Sequence, residues 1–129
     1  MANLLLDTHV MLAIVDPANF ALPTRYVNSL ETDDHSLAVS SVSLWEVAIK
    51  HRMGKLPLVM KLEEFPSALA HAGMRIVDIS VAHILAELDP LPSTKDPFDR
   101  LLLATSSVER MLLATVDRAL IDHPLAWHP

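Results

Sequence analysis

Four short apolar runs, Leu4–Leu6, Leu37–Val39, Ile76–Ile79 and Met111–Ala114, are spread along the chain with longer helix-like stretches between them. Each run is strand-sized and carries few polar residues, as expected when helices cover both faces of a parallel sheet. The order reads β, α, α, β, α, α, β, α, α, β, α. Such alternation predicts an α/β fold, a three-layer sandwich around a mainly parallel central sheet of four or five strands. A length of 129 residues suits a single domain over residues 1–129. Hydrophobic residues make up 51% of the chain but aromatics only 5%, so the core is expected to be built from Leu, Val, Ile, Ala and Met.

Several helix ends are legible. Pro23 fits the first turn of a helix running to about Glu31. Ser43 is placed to cap a helix that stops at Gly54, a good residue just past a helix end. A helix from about Leu62 to Ala72 stops at Gly73, and Ser80 caps one through about Leu88, halted by Pro90 and Pro92. Asp96-Pro97 opens another, with an apolar stripe of Leu101, Leu102, Ala104, Thr105 and Val108. The turn at Glu31–Ser36 and the stretch Asp89–Lys95 are the most loop-like segments.

Several function classes drop out. With no cysteine, disulfides, thiolate metal sites and a Cys nucleophile are excluded, and a cytoplasmic location is expected. The start, Met1-Ala2-Asn3-Leu4-Leu5-Leu6-Asp7, has no basic region and a short apolar run, so it does not read as a signal peptide. No segment approaches the roughly 18 apolar residues of a membrane span. The net charge of −6 argues against a general nucleic-acid binder. It leaves room for a nuclease whose acids hold cations that restore positive charge locally.

Four acids fall where a parallel α/β sheet keeps its ligands, outside the carboxyl ends of its strands. Asp7 follows the first strand and Asp117 the last by a short step; Glu46 and Asp99 read as first-turn residues of two helices. Gathered carboxylates repel unless a cation joins them. Hard oxygen ligands suit Mg²⁺ or Mn²⁺, and phosphodiester hydrolysis is the chemistry most in need of such a site. Each acid also has a purely structural reading. Ser43-Leu44-Trp45-Glu46 has the form of a capping box. Asp96 suits an N-cap, Asp99 a favourable place near a helix dipole, and Asp117 a cap for a short helix holding Ala119–Ile121. Asp7 resists this reading, because an acid closing a buried Leu-Leu-Leu strand needs a partner.

Longer strings narrow the choice. Leu4-Leu5-Leu6-Asp7-Thr8-His9 resembles the opening of PIN-domain ribonucleases, the VapC toxins of VapBC toxin–antitoxin pairs. Ser41-Val42-Ser43-Leu44-Trp45-Glu46-Val47-Ala48-Ile49-Lys50, running on to Gly54-Lys55-Leu56, is similar to their second acidic motif. Lys95-Asp96-Pro97-Phe98-Asp99-Arg100-Leu101-Leu102-Leu103-Ala104 resembles the third, and Leu113-Ala114-Thr115-Val116-Asp117-Arg118 the fourth. The motifs stand in family order across essentially the whole chain. The resemblance implies a Mg²⁺- or Mn²⁺-dependent endoribonuclease with Asp7, Glu46, Asp99 and Asp117 at the metal site. It implies supporting or water-positioning roles for Thr8, Asp96 and Thr115. It further implies an RNA substrate, a VapB-type antitoxin partner and a homodimer. Two departures stand out: Thr94 where relatives often carry His, to which no role is assigned, and Leu120 where an aromatic often follows the last acid.

Lys50, His51, Arg52 and Lys55 follow Glu46, and Lys50, Arg52, Lys55 and Arg100 are candidate RNA-backbone contacts. The alternative for the first group is a solvated helix end whose positive charge suits the dipole. None of the seven histidines stands at ligand spacing from another; His9, near Asp7, is the one to watch. Two other functions compete. One is a PIN-like module that binds RNA or protein but cleaves nothing. The other is an aspartyl-phosphate phosphatase, which needs a second Asp where His9 stands.

Overall fold

The computed structural model describes residues 2–32 and 34–129. Met1, which begins the N-terminal stretch read above, and Asp33, in the expected turn at Glu31–Ser36, lie outside the described residues. The elements in chain order are β1 (Asn3–Leu6), α1 (Thr8–Val15), α2 (Thr24–Thr32), β2 (Ser36–Ser40), α3 (Ser41–Arg52), α4 (Phe65–His71), β3 (Met74–Val77), α5 (Val81–Leu85), α6 (Pro97–Glu109) and β4 (Leu112–Ala114). A 3₁₀ turn, Leu62–Glu64, leads into α4.

The strands form one sheet in the order β3-β2-β1-β4, and every pairing is parallel. In register, Leu6 lies between Val39 of β2 and Ala114 of β4. The carboxyl ends of β1, β2 and β4 therefore finish within one residue of one another. Beyond β4, Ala126 makes an isolated parallel bridge to Leu113, which covers the outer edge of that strand.

Alternation along the strands splits the core into two layers. On one face, Leu4, Leu6, Val39 and Ala114 pack with Val10 and Met11 of α1, Tyr26 and Leu30 of α2, and Phe65 and Leu69 of α4. On the other, Leu5, Ala38, Val77 and Leu113 pack with Leu102 and Leu103 of α6 and with Leu120. Helix α3 serves both, placing Val42 in the second layer and Val47 in the first. This is the three-layer parallel architecture expected from the alternation.

Four local expectations need correction. Helix α3 is capped by Ser40, whose hydroxyl accepts the Val42 amide at 3.1 Å, and not by Ser43. Ser40 is also the last residue of β2, so the helix begins without a connecting loop; Ser43 and Glu46 lie inside it, and Glu46 falls in the second turn. Strand β3 starts earlier, at Met74 just after Gly73 (φ +80°), and ends at Val77. Helix α5 ends at Leu85, because Ala86 turns extended (ψ 133°) on the way to the two prolines. After β4 there is a single turn in place of a helix: the Leu120 and Ile121 amides both bond to the Asp117 carbonyl, and the chain then leaves.

Candidate active site

The site is built on the carboxyl ends of the sheet. Asp7 is the first residue past β1, and its amide still bonds to the Ala114 carbonyl of β4 at 3.0 Å. It also caps α1: its Oδ1 accepts the Val10 amide at 3.1 Å. Its Oδ2 accepts a hydrogen bond from the Thr115 hydroxyl. With only 6% of its surface exposed, this carboxyl is pushed above the ordinary carboxylate range by burial. Thr115, the Val10 and His9 amides and the charge of the His9 ring oppose that push.

Glu46 reaches the same place from α3. Thr8 Oγ1 donates to its Oε1 at 2.6 Å and lies 3.0 Å from the Ser43 hydroxyl. Lys50, one turn further along the helix, holds the other oxygen at 2.6 Å. Asp99 enters from the first turn of α6. The Asp96 carboxylate caps that helix, accepting the Phe98 amide at 2.8 Å and the Asp99 amide at 3.4 Å. Thr94 Oγ1 donates to Asp99 Oδ2 at 3.1 Å. Burial, then the Asp96 charge, then those of Asp117 and Asp7, push the Asp99 carboxyl up to about 6, with the Thr94 bond opposing them. The Asp117 amide is bonded to Thr115 Oγ1 at 3.1 Å, and its Oδ1 accepts the Ala119 amide at 2.9 Å.

These acids line one open cleft of about 440 Å³, shared with Thr8, His9, Leu12, Phe20, Lys50, Asp96 and Val116. As they stand, each carboxylate rests on a protein donor, and among the described residues no three acid or histidine side chains close around a common point that would hold a metal ion. The chemistry of the set still fits a hard divalent cation. Its donors are oxygen alone. The mutual repulsion recorded at Asp99 is relieved by positive charge.

The structure thus brings Asp7, Glu46, Asp96, Asp99 and Asp117 together, with Thr8 on the cleft wall and Thr115 joining Asp7 to Asp117. Of the four basic candidates only Lys50 lines the cleft. Arg52 flanks a small hollow beside Phe65, and Arg100 turns away, its Nε bonded to the Thr94 carbonyl at 2.8 Å. Lys55 is exposed beyond the end of α3. His9 bonds to the Ala21 carbonyl at 3.0 Å and stands edge-on to Phe20. Three contributors escaped sequence reasoning. Ser43 precedes Glu46 by three residues on one helix face, a signal hidden by its apparent role as a cap. Thr94 was assigned no role because it stands where relatives often carry His. Tyr26 packs behind the site with its hydroxyl 3.5 Å from the Thr115 carbonyl, and burial and the Asp7 charge raise its pKa; nothing in its local sequence points there.

A family model for the PIN domain matches residues 4–124, nearly the whole chain and all four motifs. The chain belongs to the PIN-domain family. The matched range spans all of the acids that line the cleft. Two solved structures are similar to this PIN domain in fold. One is VapBC2 from Rickettsia felis bound to a DNA fragment from their promoter, with a TM-score of 0.61 and 20% identity over 96% of this chain and 95% of that one. The other is a toxin–antitoxin complex from Klebsiella pneumoniae, with a TM-score of 0.62 and 19% identity over 96% and 95% of the two chains. No curated protein matches the chain significantly.

Proposed function

We propose that this PIN domain is a Mg²⁺- or Mn²⁺-dependent endoribonuclease and the toxin of a toxin–antitoxin pair. The observation that carries the reading is the convergence of Asp7, Glu46, Asp99 and Asp117 from four separate elements on one cleft at the carboxyl edge of a parallel sheet. Family membership supports the nuclease class, and the fold shared with two toxin–antitoxin complexes supports the context.

In this reading the four carboxylates hold one or two cations. A bound divalent cation supplies Lewis-acid polarisation of a phosphate and activation of a water for in-line attack. The chain's own residues do the rest. Thr115 and the α1 amides keep the Asp7 carboxylate aimed into the cleft. Asp96 fixes the first turn of α6, and Thr94 orients Asp99. Leu12, Phe20 and Val116 supply an apolar wall that limits solvent around the reacting phosphate.

The proposed partners are RNA, a VapB-type antitoxin and a second copy of the chain. An apolar groove lined by Ala13, Ile14, Phe20, Leu22, Val27 and Leu30 shares Phe20 with the acidic cleft and offers an antitoxin a path toward it. For self-association, α5 exposes Val81, Ile84 and Leu85 on one face. Among the described residues no helix is long and apolar enough to cross a membrane, and we place the protein in the cytoplasm as a single domain over 1–129.

The test is cleavage of a mixed RNA pool with Mg²⁺, with Mn²⁺ and with chelator, beside an Asp99→Asn protein purified in parallel. Metal-dependent cleavage by the unaltered chain and almost none by the variant is expected. Equal activity in both preparations would reveal a contaminating nuclease. Inactivity of a folded, metal-binding chain would favour a PIN-like binding module.

A further inference from the structure

Lys50 is the one cation on the wall of the acidic cleft whose partner is a site carboxylate among the described residues, and it is half-exposed. Its Nζ lies 2.6 Å from Glu46 Oε2, while Thr8 occupies Oε1 at 2.6 Å. Both oxygens of Glu46 are thus engaged by the protein itself. Among the described residues no lysine or arginine pairs with the other acids: Asp7 rests on Thr115 and the Val10 amide, Asp99 on Thr94, and Asp117 on the Ala119 amide.

We infer that Lys50 is a displaceable counter-ion of Glu46, which a divalent cation must move aside to load the site. The inference rests on the metal reading above and adds a residue that sets how tightly, and in exchange for what, the metal binds. Three features of Lys50 suit it to the task. Its flexible four-carbon stem lets the ammonium leave without moving α3. Its exposed position makes the displaced charge cheap to hydrate. Its place one turn after Glu46 keeps it within reach, so the pair reforms when the metal departs. Thr8, by contrast, uses a hydroxyl, which can remain on Oε1 while a cation approaches the other oxygen.

The consequence is a metal affinity set lower than four carboxylates alone would give. Removing the competing charge is expected to tighten binding of Mn²⁺ about tenfold, the worth of a contact ion pair in a water-like dielectric that the metal no longer has to break. The experiment is calorimetric titration of Mn²⁺ into the unaltered chain, Lys50→Gln, Glu46→Gln and the double variant, each checked for folding by circular dichroism. Tighter binding by Lys50→Gln, with most of the gain lost when Glu46 is also Gln, is the expected result. A gain of equal size in the Glu46→Gln background would show a general charge effect and overturn the displacement, as would unchanged or weaker binding by Lys50→Gln. In parallel, NMR of the lysine side chains should show the Lys50 Cε signal shifting on addition of Mg²⁺, and a Lys50 signal that stays in place as the site fills would also overturn it. Failure of the unaltered chain to bind Mn²⁺ would instead remove the metal reading on which the inference stands.

Discussion

Thr115 joins two of the four acids through one hydroxyl, which donates to the Asp7 carboxylate and accepts the Asp117 amide. Valine has nearly the same shape but can do neither. Thr115→Val would leave a buried carboxylate short of a donor and a backbone N–H without an acceptor. A loss of about 1–3 kcal/mol in urea unfolding is expected. Because the Thr115 bond opposes the rise in the Asp7 pKa, its removal raises that pKa further, and metal loading should move to higher pH. A titration of Mn²⁺ affinity against pH checks the direction. At Asp99 the sign is reversed. Its carboxyl is charged at neutral pH against burial and three neighbouring acids. Asp99→Asn is therefore expected to stabilise the metal-free protein by about 1 kcal/mol, after allowing for solvent screening of a partly exposed group, while abolishing cleavage. Thermal unfolding in chelator reads the first effect and the RNA assay the second. The acids themselves were legible, because their types and order recur as a motif set. Of their holders, Thr8, Asp96 and Thr115 were expected from the resemblance, but Thr94 and Ser43 were not. Thr94 and Ser43 act across five and thirty-five residues of sequence, and such contacts leave no local trace.

Helix α6 shows how one element divides its labour. Asp96 caps it and Asp99, three residues on, faces the cleft. Asparagine keeps a capping oxygen but drops the charge, whereas alanine loses both. Asp96→Ala should cost about 1 kcal/mol in thermal unfolding, and Asp96→Asn much less. If Asp96 only caps, Asp96→Asn should also leave Mn²⁺ affinity within a factor of a few; a large loss would place its carboxylate on the ion. Strands and most helices were readable from apolar runs and from Gly, Pro and cap residues. The errors came where two signals competed. Ser40, Ser41 and Ser43 all offer a cap, and only the end of β2 at Ser40, set by pairing with Val77 of β3, decides between them. Pro90 and Pro92 mark an end to α5 but not how early the backbone extends. Asp117 caps a turn as well as it would a helix, and the chain beyond is drawn toward β4 by the Ala126 bridge.

For the whole molecule the raised acids couple stability to pH and to metal. Asp99 titrates near 3.8 in an unfolded chain and near 6 when folded. Between those values the folded state holds a proton that the unfolded state has released, so the metal-free protein loses stability as pH rises through that window. Asp7, also raised, contributes in the same direction. A divalent cation bound only by the folded form reverses the loss, by an amount that grows with its concentration over its Kd. Melting temperatures between pH 4 and 7 should therefore fall less steeply with Mn²⁺ than with chelator, and the metal-free slope should be shallower in Asp99→Asn.

The register that sets Leu6 between Val39 and Ala114 also fixes when in the life of a chain the cleft can exist. Asp7 is made before β2, β3 and Asp117, and β1 waits for its second neighbour until β4 has been made. A nascent chain that has not yet reached β4 has three of the acids at most and an open sheet edge where β4 belongs. The cleft that the proposed nuclease would use is, by this topology, incomplete until β4 and Asp117 have been made. A chain ending at Arg110 is expected to leave RNA intact for the same reason.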